Sequence, residues 1–160
     1  MKKQDLIEHN ESISEWVLSL EEAGDEAWLA PTAEGKWPPA AIVSHMLFWD
    51  QYSLTERFPY FAEGAKLPGF PDFQKINDEA EAYALSGTAK EEILRRFAET
   101  RARIIQMLAG LEESDLDKEF FIGGNKLSAR EYFIDFAEHD LHHKEQVEQF
   151  LNARSSWASQ

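Results

Sequence analysis

A chain of 160 residues that is 43% hydrophobic and 12% aromatic can bury a substantial core, yet it is too short for two domains of ordinary size, so one domain over residues 1–160 is expected. Its 16 basic and 30 acidic residues give a formal charge of −14, with acids spread along the whole length; such a field repels phosphate backbones and anionic lipid, so neither nucleic acid nor membrane is expected as a partner. The absence of cysteine excludes disulfides, thiolate metal sites and cysteine nucleophiles, and leaves histidine and carboxylate to carry any metal chemistry.

The chain opens on Met-Lys-Lys-Gln-Asp with no signal-like apolar run, and a cytoplasmic location is expected. Leu6, Ile13, Trp16, Val17, Leu20 and Ala23 repeat at helical spacing up to Gly24, which predicts a first helix from near Gln4 to Ala23. Trp28 to Pro39 reads as a connection, and Pro38-Pro39 suits the first turn of a second helix, where proline loses no intrahelical donor. That helix presents Ile42, His45, Met46, Trp49, Tyr52 and Ser53 on one face. Arg57 to Phe73 holds Pro59, Gly64, Pro68, Gly69 and Pro71 among aromatics, a loop longer than a simple connection and suited to walling a site.

Pro71 to Leu85 predicts a shorter helix, and Thr88 with Glu91 forms a capping-box signature for the next, which carries Ile93, Leu94, Phe97, Ile104, Ile105 and Leu108 and ends at Gly110. Phe120-Phe121-Ile122 followed by Gly123-Gly124-Asn125 permits a tight turn or small hairpin, too short to carry a sheet of its own. Ser128 with Glu131 repeats the capping box and opens a final helix extended to about Ala153. The predicted fold class is all-α: an up-down four-helix bundle with an additional short helix and a long loop, a form in which sites are built between facing helices.

In the final helix His139 and His143 stand four residues apart. They share a stripe with Tyr132, Phe136, Val147 and Phe150 that is expected to be buried, while Asp135, Glu138, His142, Glu145 and Gln149 fall on a second, solvated stripe. Two imidazoles so spaced can converge on one ion, and His45 on the second helix can supply a third ligand. Two neutral imidazoles inside a bundle otherwise need partners for both ring nitrogens, and a shared cation relieves both. Satisfied core histidines are the plainer reading of the same pattern.

The segment Lys36-Trp37-Pro38-Pro39-Ala40-Ala41-Ile42-Val43-Ser44-His45-Met46-Leu47-Phe48-Trp49-Asp50, with His139-Asp140-Leu141-His142-His143-Lys144-Glu145-Gln146 far downstream, resembles the DinB/YfiT-like family of four-helix-bundle metalloproteins. The helix order, the long loop with Asn77 after it, and the Gly-Gly-Asn turn before the last helix agree with it. The resemblance implies that His45, His139 and His143 bind a divalent metal, that the reaction transfers a low-molecular-weight thiol to a small electrophilic molecule or hydrolyses one with water, and that the chain pairs as a homodimer. Imidazole donors favour zinc, nickel, iron or copper over magnesium or calcium, of which zinc or nickel is expected, and three neutral ligands leave an open position.

Asp50, Glu138, Asp140 and Gln146 are candidate acceptors for the ligands' other ring hydrogens, though each taken alone reads as a solvated helix residue. His9 lines the pocket or sits at its boundary, and Trp49, Tyr52 and Arg57 form a substrate wall with an anion anchor, or core packing with a surface ion pair. Arg95-Arg96 and Arg101-Ala102-Arg103 read as exposed charge on a helix. No side chain is assigned as catalytic and no cofactor beyond the metal is expected. A metal-dependent thiol transferase of detoxification or stress response leads, ahead of a hydrolase and of a noncatalytic bundle stapled by its ion.

Overall fold

The computed structural model describes the backbone of residues 1–158 and the side chains of residues 1–154. Four long helices, α1 (Lys3–Ser19), α3 (Pro39–Glu56), α5 (Lys90–Ala109) and α6 (Ala129–Ala158), form the bundle; the shorter α2 (Asp25–Leu29) and α4 (Phe73–Leu85) complete the helical set. α1 packs on α5 and α6, and α3 packs on α5, α4 and α6. The expected all-α bundle is therefore present.

Local chemistry explains most boundaries. Leu6, Ile13, Trp16 and Val17 are buried along α1, whose end tightens into a 3-10 turn at Leu20–Glu22. Pro38 occupies the N-cap position of α3 without a side-chain cap, and Pro39 fills its first turn. Asp72 caps α4 by accepting from the Gln74 and Lys75 amides. Ser128 accepts from the Glu131 amide at the start of α6, as its capping box predicts. The matching expectation at Thr88 fails, because its hydroxyl donates back to the Tyr83 carbonyl and Ala89 stands at the N-cap of α5 instead.

The segment from Trp28 to Pro39, read as a connection, begins inside α2, whose last two residues are Trp28 and Leu29 and whose Trp28 is buried in the core. A small sheet also forms. β2 (Glu119–Ile122) and β3 (Asn125–Ser128) make an antiparallel hairpin across Gly123-Gly124, and β1 (Lys66–Leu67), from the long loop, adds to β2 in parallel. Both turn glycines have positive φ, 57° and 92°, as a two-residue hairpin turn of this twist requires. A Cβ on Gly123 would stand 3.0 Å from the Cα of Gly69, so the loop docks on the turn where no side chain fits.

Two buried clusters result. One gathers Ile13, Val17, Trp28, Val43, Leu47, Ile93, Phe97 and Val147; the other gathers Leu6, Phe58, Ile104, Leu108, Leu116, Phe120 and Phe133. Among the described residues no helix is long and apolar enough to cross a membrane.

Candidate functional site

A cavity of about 550 Å³ opens beside α3 and α6. His45, Met46, Trp49, Asp50 and Ser53 reach it from α3, Phe70, Phe73 and Asn77 from the long loop and α4, and Ile122, Asn125 and Leu127 from the hairpin. Tyr132, Asp135, Phe136, His139, Asp140 and His143 line it from α6. All three histidines singled out in the sequence thus reach one cavity.

His45 is oriented by hydrogen bonding. Its Nδ1 lies 2.9 Å from Asn77 Oδ1, and the indole Nε1 of Trp49 donates to the same oxygen at 3.0 Å. An indole N–H can only donate, so the Asn77 atom facing both groups is the carbonyl oxygen, and His45 must bring a proton on Nδ1. Nε2 then carries the free lone pair. Burial lowers the His45 pKa, Asn77 partly offsets this, and nearby His139 lowers it further. The imidazole is therefore held as a neutral donor.

The ring of His143 stands edge-on to that of His45 with centroids 5.0 Å apart. Burial, and next the neighbouring His45, push its pKa down to about 4, with Gln146 acting in the opposite sense. Its Nδ1 is buried without a hydrogen-bond partner, an arrangement that costs stability unless something accepts the lone pair or the proton. A cation is one such partner, so these residues fit the metal that the histidine pattern implies. Among the described residues, however, no group of three or more histidines and carboxylates is gathered closely enough to hold an ion ready-made. His142, on the solvated stripe, is exposed as expected.

The stripe carrying His139 is less buried than its phase predicts. His139 is exposed at the cavity, Tyr132, Phe136 and His143 are half-buried, and the fully covered seam of α6 runs instead through Phe133, Ala137, Asp140 and Val147. Asp140 is inside because it has a partner. Arg101, fully buried on α5, donates through Nε and Nη2 to Asp50 at 2.7 and 3.1 Å, and through Nη1 and Nη2 to Asp140, both at 2.7 Å. Nη1 also donates to Asn10 Oδ1 at 3.0 Å, and His9 Nε2 meets Asp140 Oδ2 at 2.9 Å.

Arg101 is thus no exposed helix charge, and Asp50 and Asp140 are neither solvated nor hydrogen-bonded to His45, His139 or His143; the acceptor on His45 is Asn77. Burial raises the Asp50 pKa to about 7 against the opposing pull of Arg101. Burial would raise Asp140 as well, but Arg101 and His9 outweigh it and hold that carboxyl below the usual range. Glu138 is exposed, and His9 belongs to this charge cluster rather than to the cavity wall.

Arg57 is also buried rather than paired at the surface, and it does not line the cavity. Its Nη1 and Nη2 donate to the carbonyls of Pro68 and Gly69 at 2.7 and 3.2 Å, and its guanidinium lies 5.4 Å from the ring centroids of both Tyr52 and Phe70. It is the clamp of the long loop, not an anion anchor. Arg57→Ala is expected to accelerate protease cleavage between residues 61 and 72 several-fold with helix content retained; an unchanged cleavage rate would mean that the loop is held by its sheet and glycine contacts alone.

A family model of the DinB superfamily matches residues 9–147. No curated protein matches the chain. Among solved structures, YfiT from Bacillus subtilis, described as a probable metal-dependent hydrolase with an unusual four-helix bundle topology, aligns at 14% identity with a TM-score of 0.78, covering 96% of this chain and 87% of that one. The colibactin self-resistance protein ClbS, in complex with double-stranded DNA, aligns at 17% identity with a TM-score of 0.66, covering 93% of this chain and 94% of that one. At these identities the likeness concerns the fold. The ClbS complex nevertheless corrects the exclusion of nucleic acid drawn from net charge, since a bundle of this shape occurs on DNA and local surface rather than total charge governs such contact. The family match spans most of the sequence, and the chain belongs to the DinB superfamily.

Proposed function

We propose that this protein is a metal-dependent enzyme in which His45, His139 and His143 hold one divalent ion, zinc or nickel among the zinc, nickel, iron and copper that imidazole donors favour, and in which a low-molecular-weight thiol attacks a small electrophile. The observation that carries this reading is the pairing of His45, whose Nε2 lone pair is freed by the Asn77 hydrogen bond, with His143, whose buried Nδ1 has no partner, at a ring separation of 5.0 Å. A bound divalent ion would supply a Lewis acid able to lower the pKa of a thiol or of water, or to polarise an electrophile. The chain's own part is to keep His45 and His143 neutral by burial, to fix the His45 tautomer through Asn77, and to shield the reacting groups behind Trp49, Phe73 and Phe136.

Water in place of the thiol is the second reading, favoured by the description of YfiT as a probable metal-dependent hydrolase. Elemental analysis of unheated protein purified without an affinity tag tests the metal. Turnover of an electrophile with and without added thiol then separates transfer from hydrolysis. His143→Ala is expected to lose most metal affinity while His142→Ala retains it, because only His143 turns toward His45 and the cavity; equal loss in both variants would defeat the assignment.

A further inference from the structure

The cavity is walled by aromatic rings on two sides of its chemistry. Trp49 and Phe73 have centroids 5.6 Å apart, and Phe70 continues the series at 5.5 Å from Phe73 with planes 28° apart. On α6, Tyr132 and Phe136 lie 6.5 Å apart with planes inclined by 24°. Phe70 and Phe73 are 58% and 54% exposed although both line the cavity, so more than half of each large apolar side chain is left uncovered by the described residues.

The charged lining is of one sign. Asp50, Asp135 and Asp140 reach the cavity, and among the described residues no lysine or arginine does. The two interior cations nearest to it are committed elsewhere. Arg101 has five N–H groups and makes five hydrogen bonds, to Asp50, Asp140 and Asn10, so no donor is left for a ligand. Arg57 donates through Nη1 and Nη2 to carbonyls of the loop, and although its Nε has no partner the side chain is fully buried and does not line the cavity. Away from an ion held by the three histidines, an anionic group entering here would exchange water for carboxylates and ring faces, with no lysine or arginine among the described residues lining the cavity to meet it.

We infer that the aromatic wall of the cavity, away from the three histidines, binds a planar aromatic group that carries no negative charge. This rests on the reading of the cavity as the substrate site of the proposed enzyme and specifies which electrophiles that site accepts. Rings of the ligand stack against the Trp49, Phe73 and Phe70 series, and its polar or cationic substituents face Asp135 at the rim.

The test uses the full-length chain, both as purified and after dialysis against a chelator with helix content verified, at pH 8. Binding of naphthalene-methanol, naphthalene-methylamine and naphthoate is measured by calorimetry. In the chelated protein the alcohol and the amine are expected to bind at least fivefold more tightly than the carboxylate. A smaller preference overturns the inference, as does failure of the alcohol to bind. Phe73→Ala, at the exposed first residue of α4, is expected to weaken alcohol binding at least threefold, and a smaller effect would put the ligand elsewhere. Asp135→Asn should narrow the gap between alcohol and carboxylate while Glu15→Gln, on exposed α1 surface, should not; equal effects would assign the preference to net charge and overturn the cavity's role. Metal content is read separately on the purified protein, so loss of the metal reading leaves this binding result standing, and the converse also holds.

Discussion

Replacing Arg101 by methionine is expected to lower the free energy of unfolding by about 3–5 kcal/mol, the range for removing one partner from a buried ion pair. Methionine fills much of the same volume, so a cavity is not the main cost. The cost is electrostatic: Asp50 and Asp140, 1% and 3% exposed, would be left facing each other with only His9 and Asn10 nearby. Arg101→Lys should recover only part of the loss, since an ammonium cannot span Asp50, Asp140 and Asn10 as the planar guanidinium does.

The deficit should also depend on pH with a defined sign. Without Arg101 the Asp50 pKa rises further and the Asp140 carboxyl loses the partner that holds it low, so burial places both above the unfolded value and the folded variant binds more protons than the unfolded chain between those limits. Its stability relative to the parent should therefore rise as pH falls from 7 toward 4. Urea denaturation of parent and variant at a series of pH values measures this, and a deficit that is absent at neutral pH or that grows on acidification would show that the triad is not the electrostatic centre of the bundle.

The same cluster shows what the sequence could and could not disclose. Helical periodicity located the long helices because their apolar residues repeat over several turns, and it separated His142 from His143 correctly. It misjudged Arg101, Asp50 and Asp140 because each was read by its chemistry rather than by its phase. Arg101 occupies the same seam as Phe97, Ile104 and Leu108, Asp50 follows Val43 and Leu47, Asp140 lies between Ala137 and Val147, and Asn10 sits between Leu6 and Ile13. Four polar residues at core phase on four helices are the visible sign of a buried network. Which of them meet depends on how the helices pack, and no single helix encodes that.

The hairpin of β2 and β3 lies where the sequence permits one, but the third strand escapes for a related reason. Two residues of β1 carry no periodicity, and their order comes from the hairpin, from the Gly69 and Gly123 contact, and from the buried Arg57 clamp. Asn77 shows a third limit. The family resemblance marks its position after the loop, but its role needs α4 folded against α3, which brings His45 and Trp49, 32 and 28 positions away, onto its one oxygen.

That oxygen leads to the second large expected effect, a loss of metal affinity of about 10–100-fold in Asn77→Ala, the usual range when the hydrogen-bond acceptor behind a ligating histidine is removed. In the parent, Asn77 Oδ1 accepts from both Trp49 Nε1 and His45 Nδ1, so the histidine tautomer and the ring orientation are set together. Alanine frees both groups. The proton of His45 can then sit on Nε2, and the ring can rotate against Trp37 and Trp49, whose centroids lie 5.3 and 6.4 Å away.

Asn77→Asp distinguishes orientation from simple packing. A carboxylate still accepts two donors and strengthens the basicity of the imidazole, so this variant should match or exceed the parent in affinity. Competition of each variant against a chromophoric chelator gives the affinities, and far-ultraviolet circular dichroism checks that α4 survives. If alanine and aspartate weaken binding alike, Asn77 serves the fold alone; if alanine binds metal as the parent does, His45 does not need its Nδ1 partner to act as a donor, and the ligand assignment loses its principal support.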